Sequence, residues 1–516
     1  MSELDKWIKR NWKLCFVMLV AIVSRSVLLG KIPCGVHADE AFAGYEAYSI
    51  LNYGTDSWGY AFPVYLTTWG SGMSVLESFL MIPFIRLGGL SLITIRLPQM
   101  IMGIISVYVV YLLFNRIADP KKALWAATMI AVCPWHIMMS RWGLDANLAS
   151  AFILLAMYFS ILGLSKEKYL LVSALFWGLS LYCYALIWLF VPCFLFFSIL
   201  YCIKYHKIRV SGYTAGAIVI LFLLAMPLLL FVGVNMGLLP EIRTPYISIP
   251  SLVQFRGDEL NSTHIMANIK DLLRIYIKQD DYNLMSSIPY FGLYYLYSLF
   301  FILAGGYDIL KTVHHNVKQN KFGYEMFLVI WIVICIVISL FRSMSVYRAN
   351  CMNLAILFLM IRGSYCIGQA FKSPRIQQGI FAVYMGSFIL FMGYYFTIYP
   401  NTIKERQMAG AKEALEYAVE IQKEHTDGVI HITSKLRHPQ VLFYMEYPVD
   451  LYMETVKWKN YPARWLEAEH FGDFWWNTEN LTDGIYVICR EEIADFENAG
   501  YHITQFDACA VAFREE

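Results

Sequence analysis

Eleven apolar runs, most of them long enough to cross a hydrocarbon core of about 30 Å, constrain this chain more than any other feature. They fall at 13–30, 96–114, 123–140, 146–164, 169–184, 185–203, 211–234, 289–310, 325–341, 346–369 and 379–398. Backbone inside lipid has no water to bond, so runs of this length are read as transmembrane helices. Composition agrees: 58% of the 516 residues are hydrophobic and 16% are charged, against about 25% charged in soluble proteins, which excludes a soluble or disordered chain. A further run, 75–90, is interrupted by Glu77, Pro83 and Arg86 and reads as an interfacial or re-entrant helix. No small-residue cleavage site follows the first run, so it reads as a retained span. A net charge of +2 without a basic tail argues against nucleic acid as a partner.

Lysine and arginine placement gives an orientation. With the N-terminus inside, the inner loops hold Lys6, Lys9, Arg10 and Lys13, then Arg116, Lys121 and Lys122, then Lys166 and Lys168, Lys204, Lys207 and Arg209, Lys311, Lys318 and Lys321, and Lys372 and Arg375. The outer face then receives the first loop at 31–95, a long loop at 235–288, two short turns and everything after Tyr399. The expected organisation is a polytopic α-helical membrane domain over 1–399, N-terminus inside, and a small extracytoplasmic α/β domain over 400–516. In the tail, a charged helical stretch at 404–424, strand-like runs at 428–433 and 484–489 and a last pair within 502–513 support the α/β reading. Cys489 and Cys509 lie near two strand ends, where a disulfide and two free thiols are equally open.

Ionisable residues at helix mouths are costly and therefore functional candidates. His37-Ala-Asp39-Glu40 follows the first span and puts an acidic pair where the chain leaves the bilayer. Neighbouring carboxylates on a helix point about 100° apart, so one of the two faces any given site; an acidic first helical turn is the plainer reading. Arg141 and Asp145, after the third span, are four apart, which on a helix would let them pair. An arginine there also suits a phosphate, being always charged and able to bond bidentately. Arg342 and Arg348 form another basic pair in an outer turn, open to snorkelling or to ligand contact. His37 and Asp39 are half of a divalent-cation site, and no fuller metal spacing is present. Trp475 and Trp476 in the tail are either core residues or a surface on which sugar stacks. The loop 235–288, with Arg256, Asp258, Glu259, Arg274, Lys278, Asp280 and Asp281, reads as a lid or as a solvated loop.

His37-Ala-Asp39-Glu40-Ala41, Gly44-Tyr45, Gly54-x-Asp56-x-x-Gly59, Pro63, Arg96-Leu-Pro98, Pro134-Trp-His136 and Ser140-Arg141-x-x-x-Asp145-x-Asn147 together resemble the GT-C membrane glycosyltransferases. The branch resembled most contains the protein O-mannosyltransferases and the lipid A aminoarabinose transferase. The resemblance implies an inverting transfer of one sugar from a polyprenyl-phosphate donor to a protein, lipid or wall-polymer acceptor at the extracytoplasmic face of the cell membrane. It implies Asp39, beside Glu40, as the catalytic carboxylate and Arg141 at the donor phosphate; by their charge and place in the outer turn, Arg348 or Arg342 could add to the phosphate site, with Asp145, His37 and Tyr45 in support. The reaction would need no cofactor other than, at most, a divalent cation. Where the branch has a paired proline after Lys or His, this chain has Trp69-Gly-Ser-Gly-Met73, which leaves the sugar specificity open. The competing reading is a transporter or lipid-linked-sugar flippase, which needs polar groups near the bilayer midplane.

Overall fold

A computed structural model describes residues 3–255, 262–424, 428–479, 481 and 483–514. Each of the eleven apolar runs is occupied by helix. Among the described residues, six helices are long and apolar enough to cross a membrane: Leu92–Ile117, Asp145–Gly163, Ile187–Lys204, Gly212–Asn235, Asn350–Ala370 and Pro374–Thr397. Two shorter apolar helices, Tyr169–Ser180 and Glu325–Phe341, occupy two more of the runs. The run 123–140 is two helices, Pro120–Ala131 and Pro134–Met139, because a proline inside a helix lacks the N–H and starts a new first turn. The run 289–310 becomes helical only at Ser298. Before it the backbone forms local turns, such as Gly292 N to Ile288 O, and two of its groups are held from afar: Leu293 O accepts from Trp135 N, and Gln279 Oε1 accepts from Tyr294 N.

The chain divides into two compact units, the first made of Met1–Val27, Gln99–Met226 and Gly257–Tyr395. Its helices Ser298–Lys318 and Asn350–Ala370 cross at Gly305 and Gly363, where a Cβ on either would run into a carbonyl of the other helix, Leu359 O and Phe301 O respectively. Small residues allow such close approach of backbones in membrane helices. Two buried arginines tie the end of helix Glu3–Ser26 to its neighbours. Arg25 donates to the Ile130 and Ala131 carbonyls at the end of Pro120–Ala131 and sits 2.8 Å from His136 Nδ1.

The second unit comprises Leu28–Pro98, Pro227–Arg256 and Phe396–Glu516. This division differs from a boundary at 399/400: the tail forms one compact body with the first outer loop and with part of the second, while the rest of the 235–288 loop belongs to the other unit. Arg256, Asp258 and Glu259 of that loop lie outside the described residues. The unit contains a two-stranded ribbon, β1 Ile242–Arg243 and β2 Ser248–Ile249, and a seven-stranded sheet. The sheet strands are β3 Ile430–Ile432, β4 Lys457–Trp458, β5 Ala468–Phe471, β6 Phe474–Trp475, β7 Ile485–Cys489, β8 His502–Phe506 and β9 Cys509–Phe513. Their spatial order is β4-β5-β6-β3-β7-β9-β8, with β3 parallel to β6 and β7 and the other pairs antiparallel. β3, β7 and β9 are buried along their whole length, as central strands covered on both faces are. Helix Ala411–Glu424 packs on the sheet through Ala411, Ala414, Leu415, Ala418 and Ile421, an apolar stripe of helical period. Cys489 and Cys509 face each other across β7 and β9 as free thiols.

Candidate active site

The acidic pair opens helix Ala38–Tyr53, with His37 as its N-cap: His37 Nδ1 accepts from Asp39 N at 3.2 Å. The helical turn then separates the two carboxylates. Glu40 is fully buried and forked onto Arg96, with Nε to Oε1 at 2.8 Å and Nη2 to Oε2 at 3.0 Å. Arg96 also donates to the carbonyls of Leu29, Pro33 and Gly35. Glu40 therefore acts as an anchor for the first turn, which leaves Asp39 as the more exposed carboxylate of the pair.

The Asp39 side chain is 32% exposed, with Oδ2 3.7 Å from His37 Nδ1 and Oδ1 accepting from Trp69 Nε1 at 2.9 Å. His37 Nδ1 already accepts a backbone N–H, so as a metal donor the ring would have to use Nε2. No group of three or more His, Cys, Asp or Glu is placed to hold a metal ion among the described residues. Tyr45 is buried, its hydroxyl donating to Tyr447 O at 2.7 Å, and Gln440 Nε2 donates to Val36 O. Both bonds fasten the Asp39 helix to the tail. Trp476 is core, its indole N–H on Leu436 O, and Trp475 stacks on His470, so neither forms an open platform beside Asp39.

A second acidic pair lies close by, Glu46 on the same helix and Asp56 in the turn that follows it. Glu46 and Asp56 are wholly buried; Ser57 donates to Glu46 through N and Oγ, and Asp56 Oδ1 accepts from Trp58 N and Tyr60 N. Asp56 Oδ2 has no hydrogen-bond partner among the described residues. Burial, with Asp56 nearby, pushes Glu46 up from 4.5 to about 8, and burial pushes Asp56 up from 3.8 to about 7. Both values exceed those of the unfolded chain, so between them the folded state holds more protons. Stability is then full in mild acid and falls as pH rises through this window, by about 1.4 kcal/mol per pH unit for each proton released on unfolding. Glu46→Gln is expected to flatten that fall and to raise the thermal midpoint at pH 8, as read from melting curves at pH 5 and pH 8; a steeper fall in the variant would contradict the assignment.

In the other unit, Arg141 and Asp145 do not share a helix. Pro134–Met139 ends at Ser140, residues 141–144 form a turn, and the next helix begins at Asp145 after an extended Leu144. The four-residue spacing is therefore not a helical one, and the expectation of one shared helical face is corrected. Arg141 is fully buried, and its guanidinium donates to the carbonyls of Ser24, Arg25 and Val27 and lies 5.5 Å from the Tyr395 ring. It caps the end of helix Glu3–Ser26, whose last carbonyls would otherwise be orphaned. Asp145 Oδ1 accepts from Ala146 N. Arg348 donates to Ser343 O and lies 5.7 Å from the Tyr347 ring. Arg348, Arg342, Tyr347 and Asp145 lie within electrostatic range of the Tyr184 phenol. Tyr184 and Arg25 have no signal in the sequence beyond polar character inside apolar runs, whereas His136 belongs to the Pro134-Trp-His136 motif.

Asn350 joins the motif residues: its Oδ1 accepts from Trp135 Nε1, and its Nδ2 donates to Ala146 O and Asn147 Oδ1. Asn147 thereby belongs to a scaffold. Two apolar cavities of about 130 and 220 Å³ share the walls Met157, Ile161 and Phe327. They lie toward the Gly163 end of helix Asp145–Gly163, away from Arg141.

Residues 74–231 match the family described as dolichyl-phosphate-mannose-protein mannosyltransferase. The match takes in Arg96, Arg141 and Asp145, and Asp39 precedes it. No curated protein matches the sequence. Among solved structures, ArnT from Cupriavidus metallidurans bound to undecaprenyl phosphate superposes with a TM-score of 0.56 at 10% identity, covering 98% of each chain. The same protein in its apo state gives 0.57 at 10% identity, over 99% of this chain and 98% of that one. The Archaeoglobus fulgidus oligosaccharyltransferase, in complex with Zn and sulfate, gives 0.52 at 13% identity over 84% of this chain and 61% of that one. The chain thus has the fold of the GT-C membrane glycosyltransferases and, over residues 74–231, resembles their mannosyltransferase family.

Proposed function

We propose that the protein is an inverting glycosyltransferase of the membrane that moves one sugar from a polyprenyl-phosphate donor to an acceptor hydroxyl. The observation that carries this reading is the division of labour in the first turn of helix Ala38–Tyr53. One carboxylate is locked onto Arg96, and the other is partly exposed and aimed by an indole N–H. In the reaction, Asp39 takes the proton of the acceptor hydroxyl as its oxygen bonds to the anomeric carbon. The bond from that carbon to the phosphate oxygen breaks on the opposite face, and the electron pair leaves with the polyprenyl phosphate. The departing phosphate needs positive charge more than a proton. Arg348 and Arg342 are the arginines the sequence offers for it, and Arg141, whose donors hold the end of the first helix, keeps the backbone of its own unit in place. No step requires a cation at His37 and Asp39.

The family match over 74–231 and the whole-chain likeness to a protein solved with undecaprenyl phosphate support the lipid-linked donor. They favour the transferase over a transporter or flippase. The basic clusters at one end of the spans support a multi-pass protein with its N-terminus inside and with Asp39 and the tail on the extracytoplasmic face. The acceptor is a protein, lipid or wall polymer on that face. Membranes containing the protein, incubated with a panel of polyprenyl-phosphate sugars, are expected to yield an acceptor heavier by one hexose or pentose by mass analysis. No gain with any donor, alongside transfer by a known transferase in the same membranes, would overturn the reading.

A further inference from the structure

Asp39 sits at the edge of an aromatic wall to which segments almost 400 residues apart contribute. Trp69, which holds Asp39, meets the His438 ring edge-on at 5.2 Å and the Trp465 ring at 6.3 Å. His438 in turn meets Trp458 at 5.2 Å, and Trp458 stacks on Trp58 at 6.0 Å, 5° from parallel. His438 is buried, and desolvation pushes it down to about 3, so it stays neutral and the wall carries no charge at its centre.

Two features set this wall apart from ordinary core. The first is strain: Trp69 has φ 54°, in the left-handed region that a bulky residue rarely enters. Such strain persists where the surroundings over-determine it, and it gathers at functional sites. Here Asp39 holds the indole and Leu466 N donates to Trp69 O at 2.8 Å. Gly70 follows at φ 88°, and a Cβ there would strike Ala463 O. The second is exposure: Trp465 remains 54% exposed and Tyr461 62%, forgoing burial worth about 1.5–3 kcal/mol for a large apolar side chain. The loop carrying them is fixed by Lys459 N to Glu467 O, Glu467 N to Asn460 Oδ1 and Asn460 Nδ2 to Trp465 O, all within 2.9 Å. The Trp465 indole thus stands open at the edge of a hydrogen-bonded loop. Arg437 and Glu467, paired at 3.4 Å and about half exposed, provide polar groups at its edge.

We propose that this wall is the acceptor subsite and that the acceptor is a carbohydrate, with a sugar ring laid on Trp465 and its reacting hydroxyl turned toward Asp39. A pyranose matches such a surface because its C–H face packs on an indole while its hydroxyl rim finds polar partners. A peptide acceptor would be held largely through backbone hydrogen bonds, which aromatic ring faces do not supply. This rests on the transferase reading and narrows its acceptor to a glycan, a glycolipid or a sugar-bearing wall polymer.

The test uses the full chain in nanodiscs, with a polyprenyl-phosphate hexose and two acceptor panels: α- and β-linked hexose and N-acetylhexosamine tetrasaccharides, and Ser/Thr-containing decapeptides. Transfer to a tetrasaccharide is expected, with Trp465→Ala raising its KM at least tenfold while kcat falls less than threefold, and Trp465→Phe remaining within threefold of wild type in both. Calorimetric titration of the accepted tetrasaccharide without donor should show binding that Trp465→Ala weakens by a similar factor. Transfer to the peptides alone, or a KM unmoved in Trp465→Ala, would overturn the proposal. Tetrasaccharide binding that depends on Trp465, with no donor consumed, would keep the sugar site and overturn the transferase reading instead.

Discussion

Replacing Asp39 with Asn is expected to lower sugar transfer about 10²- to 10⁴-fold, the range a positioned general base supplies, while the protein remains folded and membrane-inserted. The amide is isosteric, and its oxygen can still accept the Trp69 indole N–H that Asp39 Oδ1 accepts at 2.9 Å, so aim and packing survive and proton-accepting ability is lost. The loss should appear in kcat more than in KM, because the acceptor still binds and only its deprotonation fails. Initial rates over a range of acceptor concentration, with a melting curve on the same preparation, check both halves. A rate within threefold of wild type would remove Asp39 from the chemistry.

The second large effect belongs to Arg96. Replacing Arg96 with Ala strands the buried Glu40 carboxylate and leaves the carbonyls of Leu29, Pro33 and Gly35 without the donor that now serves them. Breaking a buried ion pair by removing one partner costs about 3–5 kcal/mol, and the carbonyls add to it. Arg96→Ala should therefore lose more stability than Glu40→Ala, which strands one cation that keeps its carbonyl partners. Activity falls in both because the first turn that places Asp39 comes loose. Limited proteolysis and thermal midpoints in detergent separate this pattern from that of Asp39→Asn: loss of structure in one case, loss of rate alone in the other. Equal midpoints for Arg96→Ala and wild type would refute the anchoring role.

The positions of the helices were legible because an apolar run of membrane length leaves the backbone little alternative, so all eleven runs contain helix. Errors arose where tertiary partners replaced helical hydrogen bonds. The stretch before Ser298 takes bonds from Trp135 and Gln279, and residues 141–144 turn between two helices. The acidic pair was legible as two carboxylates 100° apart, but which of them faces the site depends on Arg96, 56 residues away from Glu40. Arg141 read as a phosphate ligand from its charge and place; its carbonyl partners at the end of the first helix are visible only in three dimensions. The aromatic wall was hidden for the same reason. Trp69 lay in the segment that departs from the family pattern, and Trp465 belongs to a tail that the sequence reading set apart as a separate domain. Composition cannot tell an exposed, fixed tryptophan from a buried one, so Trp475 and Trp476 look as fit for sugar stacking in the sequence as Trp465.

The most direct measurement is the yield of free polyprenyl phosphate from purified protein in nanodiscs supplied with a labelled polyprenyl-phosphate sugar and an acceptor. One polyprenyl phosphate is expected per sugar transferred, with the anomeric configuration inverted in the product and both signals lost together in Asp39→Asn. Sugar transfer without release of polyprenyl phosphate, retention of configuration, or equal release by wild type and Asp39→Asn would contradict a direct displacement assisted by Asp39.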